Sequence, residues 1–575
     1  MGSCYDKKGS MTSNSTTRSI ILCLFRNDLR LRDNPTLFHG NKHPKVSHLL
    51  PIYCFDPRQV DLTNVKDKAY TAPKSGVFGL PKCSKLRTKF LMESVLNLKN
   101  NLKKLGSELL VAYEPPEEFL PRLTKEILTE YNIEGVYLQE EVTDEEIKVQ
   151  ETLVKNLDVP VKFFNGATLV HPEDLPFTIN ELPDVYTQFR KKVESLEPLF
   201  REVLPSPKEL KPFPESEKLT SMMTLNNAEL FQQLALGNDV VIDERSAFPF
   251  CGGEDEGIKR LHDWIWNSRN LSTYKETRNG LIGTEYSSKI SPWLAHGCVS
   301  PREVMREVGK YEEKYEANTS TYWIQFELLW RDYFWLVGRK YGNGLFYRDG
   351  LLSQINHKQP GNQSWKVDKR MMTAWTLGKT GIPWVDANMR ELIKTGYMSN
   401  RGRQNVASFL TKDLSIDWRF GGEWFETHLL DYDPCSNYGN WQYGKSQVDQ
   451  RWEFNSETLF IVAGVGNDPR ENRHFNMIKQ AKDYDPEGRY VKLWCPELVN
   501  VPVEYIHSPW KMSPEEQQKY GCIVGEDYPK PMIIQDIWKK HIDKKSKDAN
   551  KLGGNSSERI SKNEMRQHRR RNKKR

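Results

Sequence analysis

The sequence predicts two bodies in tandem, an N-terminal α/β domain with a parallel, Rossmann-like sheet and an all-helical domain after it. Three observations carry this. From residue 19 to about 166, strand-like runs alternate with helical periods, the pattern of a parallel sheet covered on both faces. After about 216 the apolar periodicity turns helical and stays so to about 480. All sixteen tryptophans lie at or after Trp264, so the two halves are built from different core residues.

In chain order, residues 1–18 are rich in Ser, Thr, Gly and Lys and are expected to be disordered. Met1-Gly2 opens like a myristoylation signal, but Asp6 stands where Ser or Thr is needed. The α/β region spans 19–166. Its strand-like runs are SIILCLF, HLLPIYCFD, ELLVAYE, GVYLQEE and VKFFNG. Between them, KFLMESVLNLKNNLKKLG places apolar residues at 91, 95, 98, 102 and 105, with Gly106 as a C-terminal stop. The turn after the first run, RNDLRLRDNP, has no glycine, so the dinucleotide fingerprint is missing and this is not an NAD site. Residues 167–215 are rich in Pro and charge and read as a linker between domains. The helical domain follows at 216–500, then an extension at 501–544 and a basic tail at 545–575, expected to be disordered.

Composition bounds the function. Charged residues are 28% and mean hydropathy is −0.69. No apolar run approaches the ~20 residues of a membrane span, and Ile20–Phe25 lacks the flanks of a secretory signal. The nine cysteines are scattered, with no C-x-x-C pair. That excludes a zinc site and a disulfide framework and points to a reducing, intracellular compartment, nucleus or cytoplasm. The net charge of +6 is unevenly held: residues 539–575 carry fifteen Lys/Arg and four Asp/Glu, which leaves −5 for the rest. Any nucleic-acid binding by the folded body therefore needs a local basic patch.

Candidate chemistry begins at the run from Tyr274 to Pro292, which ends in Ser287-Ser288-Lys289-Ile-Ser291-Pro. Hydroxyls, amides and a Lys at a helix start suit a phosphate, although an ordinary N-cap has the same composition. Three dense stretches follow: WIQFELLWRDYFW (323–335), GYMSNRGRQNVASFLTKDLSIDWRFGGEWF (396–425) and LLDYDPCSNYGNWQYGKS (429–446). In the first, Glu327 and Arg331 stand at i, i+4, the spacing of a surface ion pair. Their neighbours Trp323, Phe326, Leu328, Trp330 and Phe334 are too apolar for a solvent face, and a carboxylate among aromatics is a candidate functional group.

Together these stretches resemble the FAD-binding helical domain of photolyases and cryptochromes, and the likeness runs over residues 20–500. The stretches YKETRNGLIGTEYSSKISPWLAHG and VGNDPRENRHFNMIKQAKDYDPEGRYVKLWCPEL are similar to the cryptochrome-DASH branch. The resemblance implies that Ser287, Ser288, Lys289 and Ser291 hold the FAD pyrophosphate, with Tyr274 nearby. It implies an Arg403–Asp431 ion pair against the isoalloxazine edge, Asp433 on the bent cofactor, Asn400 beside it, and Asn437 facing flavin N5. A cation and amide donors there favour the anionic reduced flavin. Trp441, Trp418 and Trp365 match the proximal, middle and distal members of the family's electron relay. Each taken singly is as readily core packing.

On the substrate side, Glu327 matches the carboxyl that binds a damaged pyrimidine, and Trp330 the ring on which it stacks. Arg278 and Arg401 match phosphate contacts. The family's dimer-repair enzymes carry a second Trp two residues after the proximal one, and here that position is Tyr443. Base–aromatic stacking is worth roughly 1–3 kcal/mol per base, so the smaller wall favours DNA already single-stranded, where no flipping energy is needed. Six-four photoproduct enzymes use two histidines where this chain has Asn400 and Gln404, which excludes that chemistry. Glu141 matches the carboxylate that binds the pteridine of a methenyltetrahydrofolate antenna, although an acidic helix start would look the same. The expectation is a monomeric enzyme that uses blue light to split cyclobutane pyrimidine dimers in single-stranded DNA. The alternative is a photoreceptor or DNA-binding regulator. No metal is expected.

Overall fold

The computed structural model describes residues 18–65, 68–222, 240–351, 365–442 and 475–542, together with positions 233, 234 and 236. All five strand-like runs form strands: β1 (Ser19–Phe25), β2 (His48–Cys54), β3 (Leu110–Ala112), β4 (Asn132–Gln139) and β5 (Val161–Phe164). They pair only in parallel, in the order β3-β2-β1-β4-β5. Every residue of β1 is buried, as a central strand covered on both faces requires. Helices α1 (Pro35–Lys42), α2 (Lys85–Lys104), α3 (Pro116–Arg122) and α4 (Asp144–Asn156) make the covering layers. In α2, Ser84 caps the start by accepting from the Arg87 amide. The chain leaves that helix through Gly106, whose φ of 75° only glycine adopts without strain.

The strand order reverses between β1 and β4. In open α/β sheets ligands settle at such a switch point, outside the carboxyl ends of the strands. Here that place holds Asn27, just after β1, and Glu141, just after β4.

The glycine-free turn after β1 holds the two bodies together. Arg30 is buried and donates to the carbonyls of Gly166 (2.9 Å) and Gly297 (2.8 Å). Glu254 accepts from the amides of Leu31 and Arg32, and Asp33 pairs with Arg302 at 2.9 Å, both almost wholly buried.

Proline and charge at 167–215 suggest an open linker, yet the segment is docked along its length. Asp332 accepts from the amides of Leu169 and Val170. Helix α5 (Tyr186–Val193) buries Tyr186, Phe189 and Val193. Leu219, just beyond the expected boundary at 216, joins the apolar cluster of the sheet rather than that of the helical body.

The helical body contains α6 (Glu254–His262), α7 (Pro301–Lys314), α8 (Thr319–Tyr341), α9 (Pro383–Thr395), α10 (Asn400–Ser408), α11 (Trp418–His428) and α12 (Pro434–Gln442). The central α8 starts at Asn318, whose side chain accepts from the amides of Ser320 and Thr321. Residues 501–542 pack back on this body: Tyr528 donates to Asp386 (2.6 Å), and Trp538 stacks on Phe409. Among the described residues no helix is long and apolar enough to cross a membrane. The expectations for residues 1–17 and 545–575 lie outside the described residues.

Candidate functional site: one cavity inside the helical body

A cavity of about 300 Å³ opens between α8, α10, α11, α12 and the 286–291 loop. That is the low end of the ~300–1,000 Å³ common for small-molecule sites. Fourteen of the expected site residues line it: Tyr274, Arg278, Ser287, Ser288, Lys289, Ser291, Glu327, Trp330, Asn400, Arg403, Asp431, Asp433, Asn437 and Trp441.

The polar lobe is the 286–291 loop. Lys289 sits in the left-handed region (φ 55°), which turns its side chain back under the loop. Its ammonium lies 3.2 Å from Ser287 Oγ and 3.1 Å from the centroid of the Tyr286 ring. Arg260 braces the loop from behind through the carbonyls of Thr284, Ser287 and Ser288. Burial, with Arg260 adding repulsion, pulls the Lys289 pKa down to about 6. Glu391 and Glu285 act on the amine only at a distance, and it forms no ion pair among the described residues, so an anion such as a pyrophosphate beside it would hold it charged.

The second lobe centres on Asp431. Its Oδ2 accepts from Arg403 Nη2 (2.8 Å) and Ser291 Oγ (2.6 Å), while its Oδ1 is buried with no protein donor. Arg403 is also held by the Met398 carbonyl at 2.9 Å. Asp433 accepts from the Ser436 amide at the start of α12. One turn on, the Asn437 amide donates to the Gly422 carbonyl (3.0 Å), which leaves its oxygen as an acceptor at the cavity wall. The Asp431 oxygen that has no donor among the described residues, the buried Lys289 amine and this donor set fit a dinucleotide with an imide-bearing ring, and FAD is such a group.

One face of α8 also lines the cavity. Glu327, Trp330, Arg331 and Phe334 fall at i, i+3, i+4 and i+7, so all four face the same way. Glu327 and Arg331 form no ion pair. Arg331 donates to the carbonyls of Ala167 and Leu294, whereas Glu327 accepts from the Tyr274 hydroxyl at 2.6 Å. Burial raises the Glu327 pKa to about 7, with Tyr274 and Arg278 working against the shift. Arg278 lines the cavity and lies over the Trp323 ring, whereas Arg401 is not among the lining residues and donates to Asn279 and Gln404. Tyr443 lies outside the described residues.

Of the three tryptophans expected to form a relay, Trp418 starts α11, and Trp441 of α12 and Trp365 lie against that helix. Trp441 packs against Phe425, with ring centroids 5.1 Å apart. A Cβ on Gly421 would lie 2.1 Å from its ring, so only glycine admits Trp441 there. Trp418, wholly buried, is one turn before Gly421 on the same helix. Lys366 forms a parallel bridge with Ile416, and this brings its neighbour Trp365, half-buried, beside the start of α11.

Glu141 is neither exposed nor at a helix start, since α4 begins at Asp144. It accepts from Asn27 Nδ2 (3.1 Å) and Gln139 Nε2 (3.2 Å) at the switch point, and burial raises its pKa to about 7.

Sequence reasoning missed four contributors. Tyr186 of the linker stacks on Trp330 at 3.6 Å and 11°, and donates to the Phe326 carbonyl (2.7 Å), fixing the plane of that ring. Arg260 braces the 286–291 loop, and Tyr286 and Tyr397 wall Lys289. Arg260 is buried on the inner face of its helix, and a lone basic residue among charged neighbours gives no sequence signal of that burial.

Comparisons with known proteins agree with this geometry. Residues 21–212 match the DNA photolyase family model, and residues 323–548 match the FAD-binding domain of DNA photolyase. A cryptochrome DASH of Xenopus laevis is 46% identical over 530 residues, covering 92% of each chain. A cryptochrome DASH of Synechocystis is 44% identical over 516 residues, covering 89% of this chain and 95% of that one. The crystal structure of a Synechocystis cryptochrome superposes with a TM-score of 0.78 at 42% identity, covering 92% of this chain and 98% of that one. A class III photolyase from Agrobacterium tumefaciens gives 0.71 at 27%, covering 93% and 98%.

Proposed function

The chain belongs to the photolyase/cryptochrome family, in its cryptochrome-DASH branch, and on that premise we propose that it repairs cyclobutane pyrimidine dimers in single-stranded DNA under blue light. The observation that carries the reading is the continuity of one cavity. Lys289, the Arg403–Asp431 pair, Glu327 and Trp330 all line it. Bound FAD, reduced and excited by blue light, supplies the electron.

The chain's own residues do the rest. Lys289, Ser287, Ser288 and Ser291 hold the pyrophosphate, with Tyr274 closing that side. Arg403, Asp431, Asp433, Asn437 and Asn400 orient the ring. Trp330, held flat by Tyr186, offers a stacking face to a base. Glu327, protonated below about pH 7, donates to a pyrimidine carbonyl. Arg278 and Arg401 take flanking phosphates. Trp365, Trp418 and Trp441 carry electrons inward to keep the cofactor reduced. Glu141, at the switch point of the sheet, takes a methenyltetrahydrofolate antenna. A smaller residue at position 443 weakens the grip on a flipped dimer and so favours single strands.

A regulator reading is favoured by the same Tyr443 and by the fifteen cations of residues 539–575. The two separate in one experiment. A dimer-containing oligonucleotide is illuminated with blue light, and products are resolved by chromatography for the parent, Trp330→Ala and Glu327→Ala. The repair reading expects light-dependent splitting that both variants lose. DNA binding without splitting in the parent would establish the regulator instead.

A further inference from the structure

We infer that Tyr438 and Glu426 form a proton-coupled sink that receives the oxidising equivalent from Trp418. The inference rests on the relay reading above and adds a step to it. Helix α12 presents Asn437 and Trp441 to the cavity, but Tyr438 turns the other way. Its ring meets Trp418 edge-on with centroids 6.2 Å apart, well inside aromatic contact range. Its hydroxyl donates to Glu426 Oε2 at 2.8 Å. Phe346 covers the other side of the ring at 4.8 Å, and Gly422 lies against its edge. Tyr438 and Glu426 are 7% and 4% exposed, so water does not compete for the phenol proton.

The two partners of Trp418 set the direction of flow. Its indole N–H donates to the Arg348 carbonyl at 2.9 Å. A backbone carbonyl is a very weak base, so Trp418 that has lost an electron keeps its proton and stays a strongly oxidising cation. Tyr438 is hard to oxidise while it keeps its proton, and Glu426 can take that proton. The other Glu426 oxygen faces Lys82 Nζ at 3.7 Å, and Lys82 also pairs with Glu145. Arg87 donates to the Glu426 backbone carbonyl at 2.5 Å. Burial raises the Glu426 pKa, and both cations oppose that shift.

The step balances. One electron passes from Tyr438 to the Trp418 radical cation, generated by blue-light-excited flavin through Trp441. The phenol O–H bond breaks, and an O–H bond forms on Glu426. A cation and a carboxylate become neutral Trp418, a neutral tyrosyl radical and a neutral carboxylic acid. The step leaves neither aromatic ring charged: one unit of positive charge passes from Trp418 to Glu426, where it cancels that of the carboxylate.

The test is flash photolysis of the FAD-loaded full chain with paramagnetic resonance detection, in protein grown with ordinary or ring-deuterated tyrosine. In the parent, a Trp radical cation should give way to a tyrosyl radical whose spectrum narrows with deuterated tyrosine. Tyr438→Phe should lose the tyrosyl signal while retaining FAD and the Trp radical. Glu426→Gln should slow tyrosyl formation and remove its sensitivity to D2O. A Trp radical with no tyrosyl successor in the parent, or a tyrosyl signal undiminished in Tyr438→Phe, overturns this inference alone. No Trp radical in the parent overturns the relay and this inference together.

Discussion

Removing the Asp431 carboxylate should cost the protein most of its FAD. Asp431 is 6% exposed at its side chain and Arg403 20%, and they are joined at 2.8 Å. Burial works against the Arg403 cation, and Asp431 more than offsets it, keeping the guanidinium charged. Breaking a buried pair by deleting one partner costs about 3–5 kcal/mol. Arg403 retains some solvent, so the lower end, about 3 kcal/mol, applies. Asp431→Ala also strands the Ser291 hydroxyl and deletes an acceptor facing the cavity. If that loss falls on binding, affinity for FAD drops about a hundredfold, at about 1.4 kcal/mol per tenfold. The assay is the ratio of flavin absorbance to protein after purification, followed by titration with FAD. Asp431→Ala combined with Arg403→Met should be more stable to denaturant than Asp431→Ala alone, because no unpaired charge is left behind. Stoichiometric, tightly held FAD in Asp431→Ala would refute the assignment of this lobe.

Three further outcomes are expected. Trp441→Phe should retain FAD but lose its photoreduction by an external reductant, since Phe fills the space beside Phe425 and is far harder to oxidise; photoreduction at the parent rate would return Trp441 to packing. Glu141→Ala should abolish a near-ultraviolet antenna band without loss of FAD, read from the absorption spectrum of freshly purified protein reconstituted with methenyltetrahydrofolate. Glu327 sets a pH dependence: with its pKa raised from 4.5 to about 7, the folded protein keeps a proton that the unfolded chain loses between those values. Its contribution to stability is therefore greatest below pH 4.5 and declines as pH rises through 7. Affinity for a dimer should weaken across pH 7 in parallel, and Glu327→Gln, a permanent neutral donor, should bind with no such step.

The sheet was legible because each strand is a run of apolar residues bounded by turn-forming ones, and a parallel strand buried on both faces needs nothing else. The cavity lining was legible because Ser287–Ser291 and the 396–446 stretches put charge and amides among aromatics, a combination that packing alone does not call for. The linker helix α5 was hidden by the prolines and charges around it; its apolar residues at 186, 189 and 193 are too few to register as a period. The Tyr186–Trp330 stack joins residues 144 positions apart, and the Arg260 clamp acts on carbonyls, which have no sequence signature. Glu141 and the Glu327–Arg331 spacing each allowed a surface reading. Burial decided both, and burial is a property of the fold rather than of the local sequence.

The central claim is that this cavity repairs dimers, and does so best on single strands. The direct measurement is the initial rate of splitting at one defined dimer under blue light. It is presented in a single-stranded oligonucleotide, in the matching duplex, and in a duplex with an unpaired bubble around the lesion. The account predicts fast splitting in the single strand and the bubble, slow splitting in the duplex, and none in the dark. Equal rates on all three would contradict the account of the pocket wall, and no splitting on any of them by FAD-loaded, reduced protein would contradict repair itself.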